Sequence, residues 1–340
     1  MVKGPLLLFL VLPSFADAAL LVALPQSSST TTLANLQAVT GLAKPGKLTK
    51  DGHVADSNGD VDGVQLQQMR DAPNKIYKEH IRPTVTNVRA LITGDPKLVT
   101  WVLLRDPIES TRSNCERGVR EGRVPSDASI AATLLKRHVF VSNYKAAANA
   151  THIGSRQFLF RVVHYEDLTE VIYAREIWTY RIALGWGYDV KHTYPGVQLR
   201  RGTHFRPDNN SQCMQRILRW PPPVSMADLA QNLGTCRSSR EMGTCNTSFW
   251  ESLLQTVVSG SGTATREVSK ERLRDALGQL PADREFSDFL NREVAAAAAA
   301  AAEAQAKADI EEKARLKRKE REKKSRRGPL LASASVTHSA

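Results

Sequence analysis

The sequence predicts an α/β protein: a three-layer sandwich on a mainly parallel sheet, with a phosphate-cradling loop and a C-terminal helical extension. Three observations predict it. Residues 99–104 (VTWVLL) are a short, nearly unbroken apolar run, the pattern of a strand covered on both faces. Residues 158–163 repeat that pattern, interrupted only by Arg161. Residues 19–24 (ALLVAL) run into PQSSSTTT and then a helix-compatible LANLQAV. Strand, small-residue loop and helix together turn backbone N–H groups toward an anion.

The bulk numbers are compatible with that class. Of 340 residues, 41% are hydrophobic, enough to form a core and to argue against wholesale disorder. The formal charge of +12 suits an anionic partner, although much of the excess lies near the C-terminus. Cys115, Cys213, Cys236 and Cys245 show neither C-x-x-C spacing nor clustered histidines, so no metal is expected. In an oxidising compartment Cys236 and Cys245 are near enough in sequence to close a small loop, and Cys115 is expected to be a small buried thiol. Four cysteines permit three full pairings, and sequence does not choose among them.

Taken in order, residues 1–18 have the parts of a secretory signal: Lys3, an apolar core at 6–12, Pro13, and Ala16-Asp17-Ala18. Extending that core through Leu24 would place Asp17 mid-membrane at a cost of roughly 2.5–3.5 kcal/mol, so cleavage is expected and no membrane span. Sequons at Asn149, Asn209 and Asn246 fit a secretory route, to the Golgi lumen or beyond. The loop after the first strand offers Gln26, Ser27, Ser28, Ser29, Thr30 and Thr31 as anion-binding candidates. Residues 41–68 are expected to be loop. Within them DSNGDVDG imitates a calcium loop, but Val61 and Gln67 stand where glycine and glutamate are required, leaving a solvated acidic loop.

KIYKEHIRP (75–83) reads as a strand ending near Lys78, Glu79 and His80. A histidine titrating near neutrality suits a general base, and Glu79 is the alternative. After the strand at 99–104, Arg105-Asp106-Pro107 stops the ladder and a helix follows over 108–117, placing Arg105 at a strand's carboxyl end and Ser113 on the next helix. Helices are expected through 148, with Ser126-Asp127 as a cap after Pro125. The strand at 158–163 leads into His164-Tyr165-Glu166-Asp167-Leu168, where the acidic pair is expected to cap a helix over 168–184 closed by Gly185. Arg200, Arg201 and Gly202 follow further on as a short basic stretch. Residues 220–290 hold amphipathic helices. Residues 291–327, alanine followed by interleaved Glu, Lys and Arg, predict a long solvated helix, and 328–340 a disordered tail. The basic stretch lacks aromatic interleaving, so nucleic acid is not expected as a partner.

These segments carry a resemblance. L-L-R-D-P-x-x-x-x-x-S resembles the 3′-phosphate segment of sulfotransferases that use 3′-phosphoadenosine 5′-phosphosulfate (PAPS), which assigns Arg105 and Ser113 to that phosphate. The loop 25–30 resembles their P-K-S-G-T-T, with Gln26 in place of the usual basic residue and Ser28 in place of glycine. K-E-H resembles the element near the acceptor, Y-E-D-L the strand-ending acidic pair, and R-R-G the segment that closes on the nucleotide. The resemblance spans about 20–206 and places a sulfotransferase-like α/β domain at 19–290. It implies transfer of a sulfuryl group from PAPS to a hydroxyl or amine of a glycan or protein acceptor. His80 or Glu79 would be the base, Lys78 a source of positive charge. The changes at Gln26 and Ser28 imply an alternative, a catalytically impaired relative that binds nucleotide or sulfated ligand.

Overall fold

The computed structural model describes residues 19–24, 29–41, 54–55, 59–71, 75–92, 100–150, 160–169, 174–186, 211–233, 247–259 and 264–327. Four parallel strands form its centre: β1 (Ala19–Ala23), β2 (Ile76–Glu79), β3 (Thr100–Leu104) and β4 (Phe160–His164), in the order β2-β1-β3-β4. In register, Leu21 lies between Lys78 and Trp101, and Leu103 between Ala23 and Val163. Every residue of β1 and β3 is buried, which is why both read as unbroken apolar runs.

Helices cover both faces. One face carries Leu21, Ala23, Ile76, Trp101, Leu103 and Val163, and packs on α1 (Ser29–Thr40) and α6 (Ala174–Gly185) through Leu36, Val39, Ile182 and Ala183. Gly185 permits that approach, since a Cβ there would lie 2.8 Å from the Trp101 ring. The other face carries Leu20, Val22, Tyr77, Val102, Leu104 and Phe160. It packs on α2 (Gly63–Arg70), α3 (Val85–Ile92), α5 (Asp127–Ala150) and the start of α11 (Arg284–Arg327). Tyr144 of α5 is fully buried there, and its hydroxyl donates to the Ile81 carbonyl (3.1 Å).

A second apolar cluster stands beside the sheet. It joins α4 (Pro107–Arg120) and α5 to α7 (Gln212–Ile217), α8 (Met226–Leu233), α9 (Thr247–Ser259) and α10 (Lys270–Gly278) around Ile108, Leu135, Met214, Leu229, Leu253 and Leu273. A two-stranded ribbon, β5 (Arg219–Trp220) with β6 (Arg266–Glu267), lies within this part of the chain. Cys115 is not a thiol: it is bonded to Cys213, 98 residues away, and links α4 to α7. Both cysteines sit on faces buried in this cluster, so tertiary packing rather than nearness in sequence chose the pair. Cys236 and Cys245 lie outside the described residues.

Three further expectations are corrected. Residues 63–70 are helical within the stretch read as loop, because Asp62 accepts hydrogen bonds from Val64 N (2.8 Å) and Gln65 N (3.2 Å) and so caps a helix. Residues 165–169 form turns, and α6 starts at Ala174 rather than at 168. The final helix begins at Arg284, before the alanine block, and buries Phe286, Phe289 and Leu290 in the sheet core. Its basic half is therefore a continuation of an anchored helix.

Two half-buried histidines give the fold a pH dependence. Burial lowers the pKa of His138, and burial followed by the Lys145 charge lowers that of His164, where Asp167 and Glu166 oppose the shift. Both are pushed below the ordinary 6.5, so on acidification the unfolded chain takes up protons before the native one. Stability should then fall as pH drops below about 6.5. Urea unfolding at pH 7.5 and 5.5 should show the loss, and His164→Gln should reduce it; an unchanged midpoint would contradict it.

Candidate active site

The strand order reverses between β1 and β3: the chain leaves β1 for β2, then returns past β1 to β3. In open α/β sheets the crevice outside the carboxyl ends at such a point is where ligands bind. Here Leu24 N donates to Leu103 O (3.3 Å), fixing the end of β1 beside the end of β3. The N-terminus of α1, with Ser29 buried and Thr30 exposed, therefore opens onto the same sheet edge as Arg105. Thr31 is half-buried in the same turn. Gln26, Ser27 and Ser28, and likewise Arg200, Arg201 and Gly202, lie outside the described residues.

Arg105 is 8% exposed, and its guanidinium lies over the Tyr165 ring, 4.4 Å from the centroid. Tyr165 is held there because its N–H donates to Leu104 O (2.7 Å), one residue before the arginine. Asp106 does not consume the Arg105 charge. Its Oδ1 caps α4 through Ile108 N (2.8 Å), and its Oδ2 takes Arg274 (2.8 Å). Glu109 is bonded by Lys270 (2.8 Å) and Arg112 (2.9 Å). Asp106 and Glu109 are thus paired with cations from α4 and α10. Ser113 is half-buried on the second turn of α4.

Glu166 does not cap a helix as expected. Its Oε1 accepts from Asp106 N (2.9 Å), tying the end of β4 to the corner after β3. That contact was invisible in the sequence because the two residues are 60 positions apart.

At the end of β2 the three candidates have different environments. Lys78 is half-buried and shares a strand face with Ile76, the face covered by α1. Glu79 points to the opposite face, is 5% exposed, and accepts a hydrogen bond from Val54 N (3.2 Å). His80 is exposed, with Nδ1 2.6 Å from the carbonyl oxygen of Ala23. A carbonyl only accepts, so Nδ1 carries the proton and Nε2 of the neutral ring is the basic nitrogen. The bond also ties the histidine to the last residue of β1, just before the loop and α1.

Residues 59–61 of the loop read as solvated are docked against the end of β2. Asn87, which the sequence did not single out, donates through Nδ2 to Gly59 O (3.0 Å) and Arg82 O (2.9 Å), and its Oδ1 accepts from Val61 N (3.0 Å). Asp60 pairs with Arg82. Gly59 is buried at φ +83°, and a Cβ on it would lie 2.6 Å from the His80 carbonyl oxygen. Gly59→Ala should displace the end of β2 and cost about 1–3 kcal/mol through overpacking and positive-φ strain. Urea unfolding checks this; a variant as stable as the parent would show that the loop yields without cost.

Sequence reasoning also passed over Arg137. It lies three residues after Leu134 and four before Val141, on the stripe of α5 that faces the cores. An arginine on such a stripe was the signal. It is 5% exposed, and burial, then the charge of Arg105, lowers its pKa to about 9.

No protein-family model matches the chain, and no curated protein is significantly similar to it. Among solved structures it is similar to a sulfotransferase from Alicyclobacillus acidocaldarius, at 9% identity and TM-score 0.36, over 70% of this chain and 100% of that one. That likeness is too slight to assign a function. What the described residues define is a parallel α/β sandwich with His80 and Arg105 at the carboxyl ends of its strands beside the switch point. Among them no helix is long and apolar enough to cross a membrane.

Proposed function

We propose that this protein is a sulfotransferase that moves a sulfuryl group from PAPS to a hydroxyl or amine of a glycan or protein acceptor. One observation carries the reading: the pairing of β1 with β3 sets the α1 N-terminus and Arg105 at one sheet edge, with His80 bonded to the strand end between them. Backbone N–H groups at the start of α1 would receive the 5′-phosphosulfate, and Arg105, with Ser113, the 3′-phosphate. The segment at Arg200, Arg201 and Gly202 would close on the nucleotide.

His80 Nε2 then takes the acceptor proton as the acceptor oxygen or nitrogen bonds to sulfur and the bond from sulfur to the nucleotide phosphate breaks. Lys78 would offset charge growing on the sulfuryl oxygens where Gln26 replaces a basic residue. The Val54 hydrogen bond to Glu79 favours His80 over Glu79 as the base.

The disulfide supports folding in an oxidising compartment, and with it a secretory location for the mature chain. Gln26 favours a second reading, retained nucleotide binding with little turnover.

Transfer of radiolabelled sulfate to pooled glycan and peptide acceptors tests the activity. His80→Asn should lower transfer about 10²–10⁴-fold while nucleotide affinity stays within about twofold. Full activity in His80→Asn would remove the histidine from the mechanism. Nucleotide binding without any transfer by the parent protein would establish the second reading.

A further inference from the structure

We propose that Arg137 is a second guanidinium on the same anion as Arg105, and that this anion is a phosphate monoester. This rests on the function proposed above, where the group is the 3′-phosphate of the donor. Two buried arginines from different elements are involved. Arg105 follows β3, between Leu104, which lies in the sheet core, and Ile108, which lies in the second cluster. Arg137 lies on the part of α5 where the two cores adjoin: Leu134, Leu135 and Val139 belong to the cluster of Ile108, and Phe140 and Val141 to that of Leu104. Both arginines thus stand where the two cores adjoin, and the charge of Arg105 acts on Arg137.

Arg137 is 5% exposed and its Nη1 is buried with no hydrogen-bond partner. No carboxylate among the described residues pairs with it. Acids of α4 and of the start of α5 are paired with other cations: Asp106 with Arg274, Glu109 with Lys270 and Arg112, and Asp127 with Arg216. A buried cation facing another cation destabilises the unliganded fold unless something offsets it. An anion held between two guanidiniums supplies that offset and satisfies the buried donor. Site residues that lower stability without ligand and raise affinity with it show the usual conflict between the two demands.

The test uses the full chain with Arg137→Met and Arg137→Lys, titrated with adenosine 3′,5′-bisphosphate, adenosine 5′-monophosphate and inorganic phosphate. Arg137→Met should bind the bisphosphate about 10- to 100-fold more weakly and the 5′-monophosphate unchanged, with Arg137→Lys between. The unliganded Arg137→Met protein should melt no lower than the parent. Parent-like bisphosphate affinity in Arg137→Met would overturn the assignment and leave Arg105 as the phosphate contact. A lower melting temperature in unliganded Arg137→Met would also overturn it, because the arginine would then be holding the fold. If the parent fails to bind the bisphosphate but binds phosphate through Arg137, the anion pocket stands and the nucleotide reading falls. Binding of none of the three would overturn both.

Discussion

Replacing Arg105 by alanine should weaken binding of adenosine 3′,5′-bisphosphate by roughly a hundredfold or more, since a bidentate guanidinium–phosphate contact is worth about 3 kcal/mol. The loss should exceed that of any other single change at the sheet edge. Arg105 is buried, stacked on Tyr165 and aimed by a β-strand end, so little flexibility dilutes its contribution. The same change removes both the stacking on Tyr165 and a positive charge that acts on Arg137, so the melting temperature of the unliganded variant reports the balance of the two. Calorimetric titration checks the loss of affinity. A variant that binds the bisphosphate like the parent would remove Arg105 from the donor site.

The second large effect is on the fold. Cys115 and Cys213 close a loop over a separation of 98 residues, for which chain entropy puts the stabilisation at roughly 3–5 kcal/mol. The double variant Cys115→Ser with Cys213→Ser should lose about that much in urea unfolding, on the order of 10 °C in melting temperature. Nucleotide affinity should change little. The corner at Arg105 is held independently, by Asp106 capping α4, by Glu166 on Asp106 N, and by Arg274. A double variant of unchanged stability would show that the bond contributes nothing to the native chain.

The parts legible in the sequence were those set by local pattern. Continuous apolar runs disclosed β1 and β3 because both of their faces are buried, and a similar run broken at Arg161 disclosed the more exposed β4; Pro107 after Asp106 marked the start of α4. Arg105 and His80 could be singled out because a strand end fixes where the next residue goes. What escaped was set across the chain. The partner of Glu166 lies 60 residues earlier, that of Cys115 98 residues later, and Asn87 docks a loop 28 residues before it. Asp62 was taken for one more acid in a polar loop, although the helix it caps is only eight residues long and weakly apolar. Arg137 was readable in principle, as a charge on an apolar stripe, but its significance depends on Arg105 standing where the same two cores adjoin.

The proposed site requires the ends of β1 and β3 to share one nucleotide. A crystal structure of the full chain with adenosine 3′,5′-bisphosphate tests it most directly. The 5′-phosphate should lie against the first N–H groups of α1 and the 3′-phosphate against Arg105. Bisphosphate bound on another surface, with the crevice between α1 and Arg105 empty, would contradict it.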